Sequence, residues 1–294
     1  MFTGLSAFPL TPFTESGVDE KAFRGLVERL SEAGVDSIGA LGSTGSYMYL
    51  DRQERRRVAE LAVDAAGGTP VIIGIGALRT RDVHACAQDA QNAGAAGVLL
   101  APVSYQQLTS DEVYTLFEEV TRDLSVPLCV YDNPATTHFS FSDELHSRIA
   151  NLPNVRSIKI PGVPLDPIEA ATRVASLRAR IPAEVTIGVS GDEFAARGLN
   201  AGCEVWYSVL AGVLPAPCVA LTRAAQSGDA DTALELSHRF ERFWQLFRAY
   251  GSLRVVSVVA EILGLVTNPK LPAPLQGLGE AIRGEIVLAL DDLG

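Results

Sequence analysis

The chain has 294 residues, 47% of them hydrophobic and 20% charged, with a formal net charge of −11 and a pI near 4.9. This length can bury a large core, either as one α/β barrel or as two smaller domains. The acidic balance argues against nucleic acid and anionic membrane surfaces as partners.

Neither a targeting segment nor a metal-binding pattern is evident in the sequence. It contains no stretch of 18 or more apolar residues, and its start lacks the basic and apolar regions of a signal peptide, so we expect a cytoplasmic protein without membrane contact. The four cysteines are far apart, with no CxxC or CxxH pair. We therefore expect structural cysteines, and neither a metal nor a cofactor.

Short apolar or β-branched runs recur along the chain at a spacing of about 30 residues. They predict eight strands, at residues 3–8, 37–41, 70–75, 97–101, 127–131, 155–160, 185–189 and 203–207. Helical patterns lie between them, including amphipathic segments at 19–33 and 51–66. A capping box at Thr109 opens a helix that runs to about residue 121, and Ser142 caps another.

Eight strands alternating with helices predict a (β/α)₈ TIM barrel rather than an open doubly wound sheet. The barrel, with the active site, is expected at residues 1–227. Residues 228–294 are expected to form a C-terminal helical extension packed on the barrel, with helices at 229–250, 253–263 and 279–290.

Lys159, one of only three lysines, lies inside the predicted sixth strand. An isolated ammonium in an apolar interior is costly, so a buried lysine must be neutral or paired. Burial lowers the pKa of an amine, and a neutral amine is a nucleophile toward carbonyls. The alternative, a lysine at a strand end that reaches solvent or pairs with a carboxylate, stays open on position alone.

Three other predicted strands end in polar segments, where a barrel enzyme carries its chemistry. The second strand ends in the turn 42–45, which offers hydroxyls and backbone N–H groups to a carboxylate, or is a plain tight turn. The fifth ends at Tyr131, a phenol that relays protons or only packs. The seventh runs into Ser190-Gly191-Asp192-Glu193, whose acids hold a polyol or cap the next helix.

Taken together, these positions resemble the dihydrodipicolinate synthase/N-acetylneuraminate lyase family of class I aldolases. Four motifs in chain order carry the resemblance: the Thr-Pro-Phe turn at 11–13, the glycine-hydroxyl turn at 42–45, Tyr131-Asp132-Asn133-Pro134, and Ile158-Lys159. The resemblance covers nearly the whole chain. It implies a Schiff-base lyase that acts on a 2-oxo acid such as pyruvate.

The resemblance also implies a role for each matching residue. Lys159 would attack the ketone to give an imine, and Tyr131 would shuttle protons. Ser43 would hydrogen-bond the phenol, while Thr44 and the neighbouring amides hold the carboxylate of the 2-oxo acid. A second tyrosine, Tyr105, is the candidate to reach a neighbouring subunit, although its loop is one residue longer than the family's usual pattern. A homodimer or a dimer-of-dimers tetramer is therefore expected.

Departures from the family pattern bear on the substrate. Thr136 stands where the synthase branch has an arginine for the second carboxylate of its aldehyde substrate, and Ser46 and Asp132 replace a glutamate and an asparagine. Three residues resemble the positions that hold the hydroxylated tail of sugar acids in the lyase branch: Asp192, Glu193 and Ser208. Gly191, next to them, is also expected to bind the substrate. We expect cleavage or dehydration of a hydroxylated, sugar-derived 2-oxo acid.

Other functions remain to be weighed. The first alternative is 4-hydroxy-tetrahydrodipicolinate synthase, which condenses pyruvate with aspartate semialdehyde. A second is a non-catalytic barrel that binds 2-oxo acids, although such a barrel needs neither the amine nor the phenol. A metal-dependent aldolase would need converging ligands, yet only His138 among the four histidines approaches the barrel mouth. A pyridoxal phosphate enzyme would need a phosphate cup, which the turn at 42–45 does not convincingly supply.

Overall fold

A computed structural model describes residues 1–268 and 270–293, within which eight parallel strands close into a barrel. Each strand pairs with the next along the chain, and the last pairs with the first, with Gly4 opposite Val205. The predicted (β/α)₈ barrel is thereby confirmed. The strands are β1 (Gly4–Ala7), β2 (Ser37–Ala40), β3 (Val71–Gly74), β4 (Gly97–Leu100), β5 (Leu128–Tyr131), β6 (Val155–Ile160), β7 (Thr186–Val189) and β8 (Val205–Ser208).

Helices follow the strands and surround the barrel. Those of the barrel are α1 (Glu20–Glu32), α2 (Arg52–Ala65), α3 (Thr80–Asn92), α4 (Ser110–Arg122), α5 (Pro134–Thr137), α6 (Asp143–Ala150), α7 (Pro167–Arg178), α8 (Ala195–Asn200) and α9 (Pro215–Gln226). A short antiparallel hairpin, Phe13–Thr14 with Gly17–Val18, precedes α1. In the described part of the chain, no helix combines the length and the apolar character needed to cross a membrane.

Local side-chain contacts fix where several helices begin. The Thr109 hydroxyl accepts a hydrogen bond from the Glu112 amide, and the Glu112 carboxylate accepts one from the Thr109 amide. The predicted capping box is thereby confirmed. A second capping box joins Asp51 and Glu54 at the start of α2. Ser142 caps α6 through the amide of Leu145, as its position predicted.

The C-terminal segment folds as α10 (Ala230–His238), α11 (Glu241–Tyr250), α12 (Ser252–Ile262) and α13 (Glu280–Asp291). The prediction of one helix over 229–250 was wrong, because the chain turns between α10 and α11. Phe240, at that turn, is almost fully buried, and its ring lies 5.3 Å from that of Trp244 at an interplanar angle of 47°. The burial of this ring in the main hydrophobic core, which no local periodicity records, accompanies the break.

The alternation of side chains along each strand separates an outer core from an inner one. In β5, Leu128 and Val130 pack outward against helices, whereas Cys129 and Tyr131 belong to a cluster inside the barrel. In β6, Ile158 and Ile160 likewise belong to the outer core. The same alternation turns Lys159 to the inside of the barrel, at the carboxyl end of its strand.

Candidate active site

Lys159 is buried inside the mouth of the barrel, directly opposite Tyr131 in the register between β5 and β6. Its Nζ lies 4.1 Å from the ring centroid of Tyr131, 4.3 Å from that of Phe8 and 5.4 Å from that of Tyr207. Within residues 1–268 and 270–293, Lys159 forms no ion pair, whereas Lys270 pairs with Glu15. The amine therefore faces aromatic rings and open space rather than a carboxylate.

Lys159 and Tyr131 line one cavity of about 480 Å³ at the mouth of the barrel. The lining also includes Ser43, Thr136 and residues that follow β7. A second cavity, of about 440 Å³, adjoins it and shares Ser43 and Thr136 with it. A cavity of this size, apolar with a few convergent polar groups, is typical of small-molecule sites.

The phenol of Tyr131 is held from two sides. Asn133 Nδ2 donates a hydrogen bond to the Tyr131 hydroxyl at 2.8 Å, and Ser43 Oγ lies 3.2 Å from the same oxygen. Of these two partners, sequence reasoning proposed Ser43 and did not single out Asn133. With its ring against the amine and its hydroxyl fixed, Tyr131 is placed to pass protons to a group bound at Lys159.

The glycine-hydroxyl turn brings Ser43 and Thr44 to the cavities. Its backbone is tight, since Leu41 and Ser46 adopt left-handed φ values of 57° and 54°. A Cβ at Gly45 would lie 3.0 Å from the Leu41 nitrogen, so a side chain there would crowd the turn. Thr44 is buried and lines the second cavity, whereas Ser43 lines both.

The departures from the family pattern occupy distinct places. Thr136 lies on α5, lines both cavities and offers a neutral hydroxyl. Asp132 points away from the cavity, toward His146, with 3.4 Å between the nearest carboxylate oxygen and the imidazole Nε2. Phe141 stacks on His146 at 5.0 Å, so the pair is shut off from solvent. Ser46 is buried at the start of the one-turn helix Tyr47–Tyr49.

Gly191 and the three residues proposed for the tail differ in their surroundings. Asp192 is buried, and its carboxylate accepts hydrogen bonds from the Trp206 indole at 2.9 Å and from the Leu210 amide at 2.7 Å. Burial raises the pKa of Asp192 above the ordinary carboxyl value. Ser208 is fully buried, and its Oγ accepts from the Ala211 amide at 2.9 Å. Both side chains thus hold the backbone that follows β8.

Glu193 and Gly191 line the cavity, as Asp192 also does. Gly191 adopts a φ of 74°, and a Cβ there would lie 3.0 Å from the Phe194 ring, so the turn requires glycine. The carboxylate of Glu193 pairs with the guanidinium of Arg248, a residue of α11. Unlike Asp192, Glu193 is partly exposed and retains capacity to accept further hydrogen bonds.

Tyr105 lies in the loop after β4 and is 91% exposed. It lines neither cavity, so within this chain it does not meet Lys159 or Tyr131. Other exposed apolar side chains lie on the neighbouring loops: Met48, Tyr49 and Leu78.

Sequence reasoning missed several residues that line one of the two cavities: Tyr47, Tyr207, Trp244, Phe247 and Arg248. It also missed Phe8 as a neighbour of the Lys159 amine. Alternation along β8 gives the inward direction of Tyr207. Its hydroxyl points into the barrel, 2.7 Å from Ser157 Oγ and 3.3 Å from Cys129 Sγ, and burial raises its pKa well above the ordinary value. Burial likewise raises the pKa of Tyr47, which lines the second cavity.

Residues 1–268 and 270–293 contain no group of three or more His, Cys, Asp or Glu side chains arranged to hold a metal ion. The polar groups that converge at the cavity are instead hydroxyls, an amide, an amine, the carboxyl group of Asp192 and one guanidinium–carboxylate pair.

Comparisons with known proteins agree with this geometry. The model of the dihydrodipicolinate synthetase family matches residues 1–292. A 4-hydroxy-tetrahydrodipicolinate synthase of Phenylobacterium zucineum is 31% identical over 299 residues, covering 100% of this chain and 98% of the relative. One of Parvibaculum lavamentivorans is also 31% identical, with coverage of 100% and 99%.

Among solved structures, a dihydrodipicolinate synthase of Agrobacterium tumefaciens superposes with a TM-score of 0.96 at 47% identity, covering 100% of this chain and 98% of the other. A putative dihydrodipicolinate synthetase of Pseudomonas aeruginosa gives a TM-score of 0.92 at 27% identity, with complete coverage of both chains. A buried lysine beside a fixed phenol at the mouth of a (β/α)₈ barrel and a family match along almost the whole chain agree: this chain belongs to the dihydrodipicolinate synthetase family of class I aldolases and is a lyase-type enzyme.

Proposed function

We propose that this enzyme binds a pyruvate-type 2-oxo acid as a Schiff base on Lys159. The observation that carries the proposal is the position of the Lys159 amine, in a cavity wall 4.1 Å from the ring of Tyr131, whose hydroxyl is hydrogen-bonded by Asn133. A nucleophilic amine and a proton carrier are the two groups that imine formation requires.

In the proposed reaction, the neutral Lys159 amine attacks the ketone carbon, and a C–N bond forms as the C=O π bond breaks. A proton passes from the nitrogen to the oxygen through the Tyr131 hydroxyl, which gives a carbinolamine. Tyr131 donates a proton to the carbinolamine hydroxyl, which leaves as water, so an iminium cation and a Tyr131 phenolate remain. The phenolate regains its proton from the substrate when the next bond breaks. The cation accepts the electron pair of a neighbouring C–C bond or C–H bond when that bond breaks. The rings of Phe8 and Tyr207 face the same nitrogen and stabilise its positive charge.

The carboxylate of the 2-oxo acid is assigned to the glycine-hydroxyl turn. Ser43 and Thr44 offer hydroxyl donors there, and the turn adds backbone N–H groups. The same Ser43 hydroxyl lies 3.2 Å from the Tyr131 oxygen, so binding of the acid and the proton path share one residue.

For the rest of the substrate we propose a hydroxylated tail, as in a sugar-derived 2-oxo acid that is cleaved or dehydrated. Thr136 and Glu193 support this choice, because a neutral hydroxyl and a carboxylate both suit hydroxyl groups. A second carboxylate is bound best by an arginine fork, and Thr136 does not supply one.

The second candidate is 4-hydroxy-tetrahydrodipicolinate synthase, which condenses pyruvate with aspartate semialdehyde. The names of the relatives favour it: full-length relatives at 31% identity are called by this name. In that case another residue would have to supply the binding energy that the synthase arginine provides.

The test has two stages on one preparation. Incubation with a panel of 2-oxo acids, reduction with borohydride and peptide mass spectrometry should place the fixed acid on Lys159 and leave Lys21 and Lys270 unmodified. Trapping elsewhere, or none, would rule out the Schiff base. Lys159→Arg should abolish trapping and turnover, because a guanidinium stays protonated.

The second stage compares the two substrate classes. We expect kcat/KM for pyruvate with aspartate semialdehyde to lie well below about 10⁴ M⁻¹s⁻¹, the lower edge of efficient enzymes. Turnover of a hydroxylated 2-oxo acid should be faster. Efficient condensation with aspartate semialdehyde would favour the synthase instead, and binding without any turnover would favour a non-catalytic barrel.

We also propose a homodimer, alone or within a tetramer, joined through the loops after β2, β3 and β4. Exposed apolar side chains gather on these loops: Met48, Tyr49, Leu78 and Tyr105. Sedimentation at micromolar concentration should give at least a dimer, and Tyr105→Asp should weaken it. A fully active monomer would contradict this assembly.

A further inference from the structure

Arg248 reaches the active-site cavity from the C-terminal extension rather than from a barrel strand. It lies in α11 and lines the same cavity as Lys159, together with Trp244 and Phe247 of the same helix. No barrel pattern in the sequence points to this helix as part of the site. The cavity therefore has one wall that the βα units do not build.

The guanidinium of Arg248 lies between two carboxylates. Its Nη1 donates to Glu193, which follows β7, and its Nη2 donates to Glu241 at 3.2 Å. A guanidinium has five N–H donors, so these contacts leave donors available. Glu193 lines the cavity beside Arg248, and the two side chains present a donor and an acceptor side by side.

We propose that Arg248 and Glu193 form a donor–acceptor pair that selects neutral, vicinal hydroxyls in the tail of the substrate, the part beyond the 2-oxo acid group. One hydroxyl accepts from Arg248 and the next donates to Glu193. Arg248 is then a specificity-determining residue of this enzyme. The inference rests on the proposed Schiff-base function and names the class of tail that the same cavity accepts.

The charges at this wall favour hydroxyls over a terminal anion. One guanidinium faces two carboxylates, Glu193 and Glu241, so the local charge is already negative. A tail that ends in a carboxylate would bring a third negative charge to the same place, and like charges at short range repel. A neutral polyol adds none, and it satisfies both members of the pair.

A purely structural reading assigns the pair only to fastening the extension to the barrel. Surface ion pairs are common on α11 and contribute little to stability. Arg242, on the same helix, pairs with Asp292 at 2.8 Å and does not line the cavity, so it provides a matched control. If the pair is only a fastener, Arg242→Met and Arg248→Met should behave alike.

The experiment uses the full chain and two 2-oxo acids of equal length, one with a polyhydroxylated neutral tail and one with a terminal carboxylate. For each acid, kcat/KM is measured, together with the concentration at which it halves the trapping of pyruvate on Lys159. The second quantity reports binding even where turnover is absent. Arg248→Met, Glu193→Gln, the double variant and Arg242→Met are compared with the wild type.

We expect Arg248→Met to lower kcat/KM for the neutral-tailed acid, and to raise its half-inhibiting concentration, by about 10- to 100-fold, the scale of one charge-assisted hydrogen bond. The trapping of pyruvate on Lys159 should change by less than about twofold, because pyruvate has no tail and Arg248 is proposed to contact only the tail. The losses from Arg248→Met and Glu193→Gln should be non-additive in the double variant, because both residues serve one tail. Arg242→Met should match the wild type.

Several results would overturn the inference. Examples are a wild type that prefers the carboxylate tail or that neither acid inhibits, an equal loss in Arg242→Met, and an equal loss for pyruvate. Failure of the Schiff base is a separate outcome, since it appears as absent pyruvate trapping in the wild type before any variant is compared.

Discussion

Asn133 Nδ2 donates a hydrogen bond of 2.8 Å to the hydroxyl oxygen of Tyr131, two residues before it in the chain. The contact fixes the phenol together with Ser43 of the glycine-hydroxyl turn, whose Oγ lies 3.2 Å from the same oxygen. Because Asn133 uses the oxygen as an acceptor, the phenolic hydrogen stays free to point to Ser43 or into the cavity. A hydrogen that points into the cavity is available for the proton transfer proposed above.

Replacing Tyr131 by phenylalanine should lower turnover by about 10²-fold or more, the usual scale for losing a general acid or base. The ring against Lys159 remains, so the fold and part of the imine formation should persist. Turnover and borohydride trapping, measured in parallel, separate the two effects. Tyr114→Phe, on a surface helix, is the control, and unchanged turnover in Tyr131→Phe would show that the phenol only packs.

Tyr207 allows ring and hydroxyl to be tested separately. Tyr207→Phe keeps the ring near Lys159 but removes the hydroxyl that meets Ser157 and Cys129 inside the barrel. It should lower the free energy of unfolding by about 1–3 kcal/mol and leave trapping intact. Tyr207→Leu should slow trapping as well. If the phenylalanine variant also loses trapping, the hydroxyl takes part in the chemistry.

Asp192 and Glu193, adjacent in sequence, should give opposite phenotypes. Asp192→Ala leaves the Trp206 indole and the Leu210 amide without their acceptor, which should cost about 2–4 kcal/mol of stability in denaturant titrations. Glu193→Ala should leave stability nearly unchanged and reduce kcat/KM for a hydroxylated substrate. Equal stabilities of the two variants would refute the structural role given to Asp192.

The pH dependence of stability offers a further test of Asp192. Burial raises the pKa of this carboxyl in the folded state, so the folded chain holds its proton more tightly than the unfolded chain does. The stability contribution is therefore complete below the unfolded pKa, about 4, and is lost as the pH rises through the raised folded pKa. The difference in unfolding free energy between wild type and Asp192→Ala should shrink over this range. A difference that grows with pH would mean that the hydrogen bonds to the carboxylate outweigh its burial.

The cysteines should be unreactive in the native protein. All four are buried, and burial raises the pKa of Cys129 to about 11 and that of Cys203 to about 12. Since the thiolate is the reactive form, a thiol reagent at pH 8 should modify the native chain very slowly and all four thiols once it unfolds. Fast reaction of one native thiol would show that its segment opens locally.

The barrel follows from local patterns, because each strand needs only a short apolar run and a helix after it to be recognised. The predicted run at 155–160 coincides with β6, and other predicted strand ends differ by up to about two residues, as is usual where elements fray. The break before α11 escaped prediction. It accompanies the burial of Phe240 in the main hydrophobic core, which depends on the tertiary fold.

Part of the candidate site could likewise be predicted from the sequence, and part could not. Lys159, Tyr131 and Ser43 stand at strand ends, and the closure of the barrel alone brings strand ends together, so their shared cavity could be anticipated. The hydrogen bond from the Trp206 indole to Asp192 could not be anticipated, because it depends on how the turn after β7 packs against β8. The same holds for Arg248, whose helix shows an amphipathic pattern but no sign of what it covers.

The origin of the cavity walls bears on how this enzyme can be diversified. The groups assigned to bond making, Lys159 and Tyr131, are anchored in β5 and β6, whereas Trp244, Phe247 and Arg248 come from one helix near the C-terminus. If this helix selects the tail as proposed, exchanging it between family members would change the tail preference and leave the groups assigned to bond making in place. A library that randomises only the residues of α11 that line the cavity would therefore be small. It would vary the substrate preference and leave unchanged the strands that close the barrel.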